Sequence, residues 1–164
     1  MYAIGDTAFY GANGICKVKD IREERFRGEN QLYYILESTI YPSVILYHPV
    51  HSAKSKLKKV ISSAKAKQII DVFKNPPGEW HERNSIRNQQ YKLAIDSDDH
   101  MKIAEFLNIL LRKQQELVLQ GKKFPSQDAQ MAQQISAILF DELSISLNMS
   151  KNDLEEKINA IISM

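Results

Sequence analysis

The chain has 164 residues with 22 Lys and Arg against 20 Asp and Glu, a formal net charge of only +2. So small a charge excludes a protein that binds nucleic acid tightly by electrostatics alone, because such proteins carry a strong basic excess. Cys16, the single cysteine, cannot form an intramolecular disulfide, and there is neither a signal sequence nor an apolar run of membrane-spanning length, so a cytoplasmic protein without membrane contact is expected.

The first 50 residues predict β-strands, because runs rich in β-branched and aromatic residues alternate with turn residues. The segments 11–14 and 27–30 supply glycine and asparagine for tight turns. The run 32–36 is apolar on both faces, which is typical of a strand covered on two sides or exposed for a partner. We therefore expect a small antiparallel barrel or curled sheet whose strands cover residues 8–10, 15–25, 32–37 and 44–47.

Residues 61–78 predict a short linking helix that follows a serine cap, with Ala66, Ile69 and Phe73 at helical spacing. The Pro-Pro-Gly joint at its end stops the helix. This change from strand to helix pattern near residue 60 favours two domains, residues 1–60 and 61–164.

Helical spacing continues from Trp80 to Gly121, interrupted by the acidic segment 96–99, which ends one helix and caps the next. Gly121 can adopt the left-handed conformation that ends a helix. Two further helices are predicted, one that restarts at Pro125-Ser126 and runs to about Asn148, and a last one that begins at Ser150 and carries Ile162 on its inner face. These four helices with the linking helix predict an antiparallel bundle.

Trp80 is the only tryptophan of the chain and directly follows the joint. Arg83, Arg87 and Tyr91 recur behind it every four residues, so on a helix they share one face with the indole at its N-terminal end. Such a face suits contact with nucleic acid. A tryptophan packed between helices is the alternative, and composition alone favours it.

No pattern in the chain indicates catalysis or metal binding. His48 and His51 have the spacing of a ligand pair, but no third ligand stands in a recognisable register. A glycine-rich phosphate loop and a nucleophile elbow are both missing, and Cys16 falls within a strand rather than at a helix start. We expect no catalytic residue, no metal and no cofactor, and hence no enzyme.

Several motifs together resemble one family over most of the chain. They are Ile4-Gly5-Asp6, Gly11-Ala12-Asn13-Gly14, Gly28 with Tyr33-Tyr34-Ile35-Leu36, Trp80 with Arg83, Lys102-Ile103-Ala104-Glu105 and Leu139-Phe140-Asp141-Glu142-Leu143. In their order and spacing the chain resembles the CarD/CdnL family of bacterial RNA polymerase-binding transcription regulators. The resemblance implies an α+β fold of two domains, a small Tudor-like antiparallel β-barrel followed by an antiparallel α-helical bundle.

The resemblance also implies a non-catalytic function. In this family the Tudor-like domain docks on the β subunit of RNA polymerase. The bundle reaches promoter DNA, where a tryptophan enters the minor groove at the upstream edge of the bubble and hinders its collapse. Trp80 would have that role, and Arg83 and Arg87 would hold phosphates without reading sequence. A monomer associated with the nucleoid through RNA polymerase is therefore expected.

The chain departs from the family pattern on the polymerase-facing strands. Two arginines expected there fall at Glu24 and Tyr47. Because Arg22, Arg25 and Arg27 lie nearby and can replace them, these three arginines and Tyr47 are the expected polymerase contacts.

A second departure lies beside the tryptophan, where Glu82 occupies a position that the family often fills with a basic residue. This carboxylate and the weak basic bias motivate an alternative function. The chain would then be a protein–protein interaction adaptor with a polymerase-docking barrel, a buried Trp80 and no direct role on DNA.

Overall fold

The structure is a computed structural model that describes all residues from Met1 to Met164. The chain divides into two compact units, Met1–Val60 and Ile61–Met164. The first holds every β-strand and the second every α-helix. The α+β fold with a curled antiparallel sheet followed by a helical bundle, which the sequence predicts, is confirmed.

The first unit is one antiparallel sheet in which neighbouring strands follow chain order. Arg27 and Gly28 join the two long strands with φ of 52° and 87°, as a two-residue hairpin turn requires. The register shifts after Val18, and such a bulge bends the strand. A bridge between Phe9 and Lys58 returns the chain to the first strand, so the sheet forms a half-barrel. The strands are β1 (Thr7–Phe9), β2 (Ile15–Phe26), β3 (Glu29–Ser38) and β4 (Ile45–Pro49).

Strand β3 supplies the centre of this unit's core. Its residues from Tyr33 to Leu36 are all buried, so the run that is apolar on both faces is covered on both faces. On β2, Lys17 and Lys19 are exposed while Val18 between them is fully buried, as the two-residue period of a strand demands. The buried cluster consists of Ala8, Cys16, Val18, Tyr34, Leu36 and Leu57.

The second unit contains five helices, and four of them have a capping residue at one end or both. The side chains of Ser62, Asp99 and Ser150 accept hydrogen bonds from amides in the first turns of the first, third and fifth helices. Gly121 and Asn148, with φ of 69° and 52°, follow the third and fourth helices in the left-handed conformation. The helices are α1 (Ser63–Val72), α2 (Asn84–Asp96), α3 (His100–Leu119), α4 (Ser126–Leu147) and α5 (Lys151–Ile162).

Helix α3 is central in the bundle because it packs against α1, α2 and α4, and α5 packs on α4. Each leucine or isoleucine buried in this core contributes roughly 1.5–3 kcal/mol. The joint between α1 and α2 passes close over α3, since a Cβ added to Gly78 would lie 3.1 Å from Cδ1 of Ile109. The largest fully buried side chains are Ile69, Phe73, Leu107, Leu110, Ile135, Leu139, Leu143, Leu154 and Ile158.

Helix α2 begins at Asn84, four residues later than the spacing predicts, so the expectation that the helix starts at Trp80 is wrong. The backbone carbonyls of His81 and Glu82 accept hydrogen bonds from Nη1 of Arg87, both at 2.9 Å, and Arg83 is extended with φ −76° and ψ 120°. Trp80 therefore lies in the loop before α2 rather than on its face.

Candidate functional site

Trp80 is neither fully exposed nor sealed inside the bundle. Its ring packs on the hydrophobic core, with the centroid of Phe124 6.4 Å away. The guanidinium carbon of Arg87 lies 4.4 Å from the indole centroid, and Nζ of Lys113 lies 5.6 Å from it. Both distances are within cation–π range. The indole thus combines an aromatic contact, two cationic contacts and a solvent-facing part.

Arg87 is buried, with 6% of its surface exposed. Its Nε and Nη2 donate to the two carboxylate oxygens of Asp128 at 2.7 and 2.8 Å, and Asp128 is fully buried. Its Nη1 holds the two loop carbonyls described above. The expectation that Arg87 holds a DNA phosphate does not fit this position, because all three guanidinium nitrogens already donate inside the protein.

Arg83 is exposed at the N-terminus of α2, and its side chain makes no capping hydrogen bond. Glu82 beside it is also exposed. The two residues therefore place opposite charges next to the loop that carries Trp80. Of the two predicted phosphate-binding arginines, only Arg83 keeps a solvent-facing guanidinium.

Three residues that the sequence pattern did not single out complete the surroundings of Trp80. Phe124 was detectable as the one apolar residue between Gly121 and Pro125. Lys113 and Asp128 carry no local signal, because each lies on a helix remote in sequence from Trp80. Lys122 and Lys123, in the connection that leads to Phe124, are exposed.

The predicted polymerase contacts Arg22 and Tyr47 meet on one surface of the sheet. Arg22 forms an ion pair with Glu24 at 2.6 Å and donates to the Tyr47 hydroxyl at 3.4 Å. The hydrogen bond to Glu24 raises the pKa of the Arg22 guanidinium. The Tyr47 ring is 51% exposed and packs edge-on against Tyr33 with centroids 6.5 Å apart. Arg22 also pairs with Asp20 at 3.6 Å, so this exposed guanidinium offsets only part of the negative charge of the two carboxylates.

A cavity of about 500 Å³ adjoins this surface, at the end of the sheet where β4 forms an edge. Arg25 lines it, while Arg27 stacks on Phe26 at the hairpin turn, 5.3 Å from the ring centroid. Phe26 and Ile45 are 59% and 62% exposed. We define this surface as the docking face. Its residues are Arg22, Glu24, Arg25, Phe26, Arg27, Tyr33, Ile45, Tyr47 and Pro49.

No cluster of three or more His, Cys, Asp or Glu side chains could hold a metal ion. His48 is buried, its Nε2 lies 3.3 Å from the Ser55 hydroxyl, and its ring packs edge-on against Tyr10. Burial lowers the pKa of His48, an effect that the backbone of Pro49 partly offsets. None of the five helices combines the length and hydrophobicity that a bilayer-spanning helix needs.

Two family models match the chain. The model described as CarD-like/TRCF RID domain matches residues 2–61, and the model described as CarD, C-terminal domain, matches residues 68–159. The chain belongs to the CarD family. Proteins of this family are non-catalytic transcription regulators that interact with RNA polymerase. Among the curated proteins that were compared, none matches the chain.

The two CarD family matches separate the two surfaces described above. The docking face lies in the segment that matches the RID domain, and Trp80 with its neighbours lies in the segment that matches the CarD C-terminal domain.

Proposed function

We propose that this CarD family protein docks on the β subunit of RNA polymerase and sets Trp80 into the minor groove of promoter DNA at the upstream edge of the bubble. There it modulates the stability of the open complex. The observation that carries the proposal is the environment of Trp80, a partly exposed indole backed by an aromatic ring and two cations.

A wedge of this kind acts by differential binding. Inserting an apolar ring between base pairs costs a few kcal/mol of unstacking in regular duplex, and less where the duplex is already distorted. Trp80 would therefore bind the edge of a melted bubble more tightly than intact DNA. A ligand with that preference shifts the equilibrium toward the open state by the difference of the two affinities.

Phosphate contacts would come from cations around the indole. Arg83 is the first, three residues after Trp80 in the chain. The half-buried Lys113 lies against the indole while it also pairs with Glu116 at 3.3 Å, and it is the second. Lys122 and Lys123 would extend this set beyond Phe124. Such contacts position the protein without reading the sequence.

Docking supplies the affinity that the charge does not. Residues 61–164 carry thirteen Lys and Arg against fourteen Asp and Glu, so their binding to free DNA should be weak. Arg22, Arg25, Arg27 and Tyr47 would contact the polymerase β subunit and hold Trp80 at a high effective concentration near the promoter. A monomer can make both contacts. Binding to RNA polymerase on promoter DNA would place the protein in the cytoplasm, at the nucleoid.

The test replaces Trp80 by Ala and measures the lifetime of open complexes formed with the cognate polymerase. We expect the effect of the protein on this lifetime to be lost while co-purification with polymerase is retained. Tyr91→Phe is a matched control, because it removes a half-buried hydroxyl of the same unit that donates to Gln134 at 2.9 Å. A folded Trp80→Ala protein with the wild-type effect refutes the wedge.

The adaptor is the second candidate function. It is favoured by the packing of Trp80 on the bundle core and by the exposed Glu82. An adaptor predicts that Trp80→Ala still binds polymerase and leaves the open-complex lifetime unchanged. It also predicts that wild-type Trp80 is protected from acrylamide, whereas a wedge leaves the indole accessible to this quencher.

A further inference from the structure

We propose that Arg87 is a positioning residue that, together with Asp128, presents the Trp80 indole to DNA. This inference rests on the proposed function of Trp80. The position of Arg87 four residues after Arg83 suggests a phosphate contact. In the fold, however, its guanidinium donates hydrogen bonds to other groups of the protein.

The first argument is the division of the guanidinium between two tasks. One edge forms a bidentate pair with the buried Asp128 carboxylate, and Nη1 donates to the carbonyls of His81 and Glu82. A planar fork held on one edge by a carboxylate leaves little freedom for its other donors. The two carbonyls, directly after Trp80 in the chain, are thereby attached to α4 through Asp128.

The second argument is the contact with the indole itself. The guanidinium carbon lies 4.4 Å from the ring centroid, closer than Lys113 or Phe124. The same group therefore supports the ring and fixes the backbone that carries it. Because α2 begins only at Asn84, no helical hydrogen bonds hold the loop, and the Arg87 bonds replace them.

The third argument is burial. A charged pair of this kind is strongly destabilising when one partner is removed but close to neutral when both are replaced by apolar residues of similar volume. The fold alone therefore does not require an arginine at this position. An arginine is required if the loop carbonyls and the indole must be held together, since an aliphatic side chain provides neither the donors nor the cation.

The main test replaces both partners, Arg87→Met with Asp128→Leu, so that no buried charge is left unpaired. Trp80 is the only tryptophan, so its acrylamide quenching and anisotropy report on this loop alone. We expect the double variant to fold, its quenching to rise and its anisotropy to fall. We also expect its effect on open-complex lifetime to drop by about five-fold or more, the scale of one lost cation–π contact.

Arg112→Met is the matched control. Arg112 is a half-buried arginine of α3 whose Nη2 donates to the Phe73 carbonyl at 2.6 Å and whose Nε donates to Asn108, with no cation–π contact to Trp80. It should leave the quenching and the lifetime effect unchanged. Arg87→Lys retains a cation but not the planar guanidinium, so it should retain only part of the protection of Trp80 from acrylamide and part of the effect on open-complex lifetime. It serves as the test variant if the double variant does not fold.

The outcomes separate this inference from the wedge. Wild-type quenching and anisotropy in the double variant, or in Arg87→Lys if that is the variant tested, would overturn it, because Arg87 would then only join α2 to α4. The inference would also be overturned if the double variant kept the wild-type effect on open-complex lifetime while Trp80→Ala lost this effect. If Trp80→Ala leaves the lifetime unchanged but the double variant loosens the indole, the positioning of Trp80 is supported and the DNA function fails.

Discussion

The contacts that hold Trp80 differ widely in strength. An aromatic pair such as Trp80 with Phe124 contributes about 0.5–1.5 kcal/mol beyond its buried area, and a desolvated cation–π contact such as that of the buried Arg87 about 2 kcal/mol. Removal of one partner of a buried pair such as Arg87 with Asp128 costs about 3–5 kcal/mol. At the scale of single residues, the position of the Arg87 side chain is therefore held by stronger interactions than the position of the Trp80 indole.

Arg83 and Glu82 allow DNA contact to be separated from stability. We expect Arg83→Glu to leave the unfolding midpoint unchanged or slightly raised, because a negative charge at a helix N-terminus contributes about 0.3–1 kcal/mol. It should nevertheless weaken the effect on open-complex lifetime, since the new carboxylate repels phosphate. Glu82→Lys should strengthen that effect, most clearly at low salt. Equal lifetimes for the two variants would contradict a role of this segment on DNA.

We expect His48 to make the stability of the β unit depend on pH. Because burial lowers its folded-state pKa below the ordinary value of about 6.5, its contribution is complete above that pH and is lost as the pH falls below it. We expect the urea midpoint, followed by NMR signals of β4, to decrease from neutral pH towards pH 5. In His48→Phe this decrease should be smaller. In the control His51→Gln, which changes an exposed histidine, it should persist.

At the scale of elements, α3 organises the bundle through polar as well as apolar contacts. The amide of the buried Asn108 donates to the carbonyl of Asn75 at 3.1 Å, and Arg112 donates to the carbonyl of Phe73. Both carbonyls belong to the end of α1 or the turn after it, where backbone acceptors lack intrahelical partners. Asn108 and Arg112 thus satisfy carbonyl groups at the C-terminal end of α1.

Glu142 connects α4 with α3 and with the segment that leads into α1. It is fully buried in α4, accepts from the amide of Ile61 at 3.0 Å and contacts Nε2 of His100 at the start of α3. We expect Glu142→Leu to lower the free energy of unfolding by about 2–3 kcal/mol, because the Ile61 amide loses its acceptor and the imidazole loses its carboxylate partner. Chemical denaturation measures this loss.

Glu156→Leu provides the comparison for Glu142, since it makes the same substitution at an exposed position of α5. Its free energy of unfolding should change by no more than about 0.5 kcal/mol. If the two variants are equally stable, Glu142 does not connect these elements. Glu142→Gln should fall between them because the amide still offers an acceptor oxygen.

Most elements were predictable from the sequence because their signals are local. Glycine at a turn, serine before α1 and α5, and the 3.6-residue spacing in α3 and α4 each act over a few residues. The start of α2 was not predictable in this way, because the loop carbonyls bond to the Arg87 side chain instead of to helix amides.

At the scale of the whole molecule, the proposed function assigns binding to RNA polymerase to the β unit and the effect on promoter DNA to the helical unit. The β unit carries nine Lys and Arg against six Asp and Glu, and its docking face offers exposed aromatic and aliphatic side chains. The helical unit offers one partly exposed indole and a few cations. Substitutions in the docking face and substitution of Trp80 should therefore change the dependence of the open-complex lifetime on protein concentration in different ways.

A concentration series tests this separation. We expect Tyr47→Ala combined with Arg25→Glu to raise the protein concentration needed for half of the effect on open-complex lifetime without lowering the plateau. Trp80→Ala should lower the plateau. Lys17→Glu, on an exposed position of the same sheet, is the charge control. A reduced plateau in the docking variant would show that its residues act on more than recruitment.

The sequence by itself determined the two-unit α+β architecture and the family, because composition, turn chemistry and apolar spacing are properties of short segments. It also singled out Trp80 as the candidate DNA contact, which stays a prediction. It also indicated Arg83. Only the tertiary structure decided which arginine faces solvent and which is buried. Asp128 is 41 residues from Arg87, and the residues between them contain no local pattern that specifies the pair. The fold brings the two helices together, and their pairing decides how the indole is held.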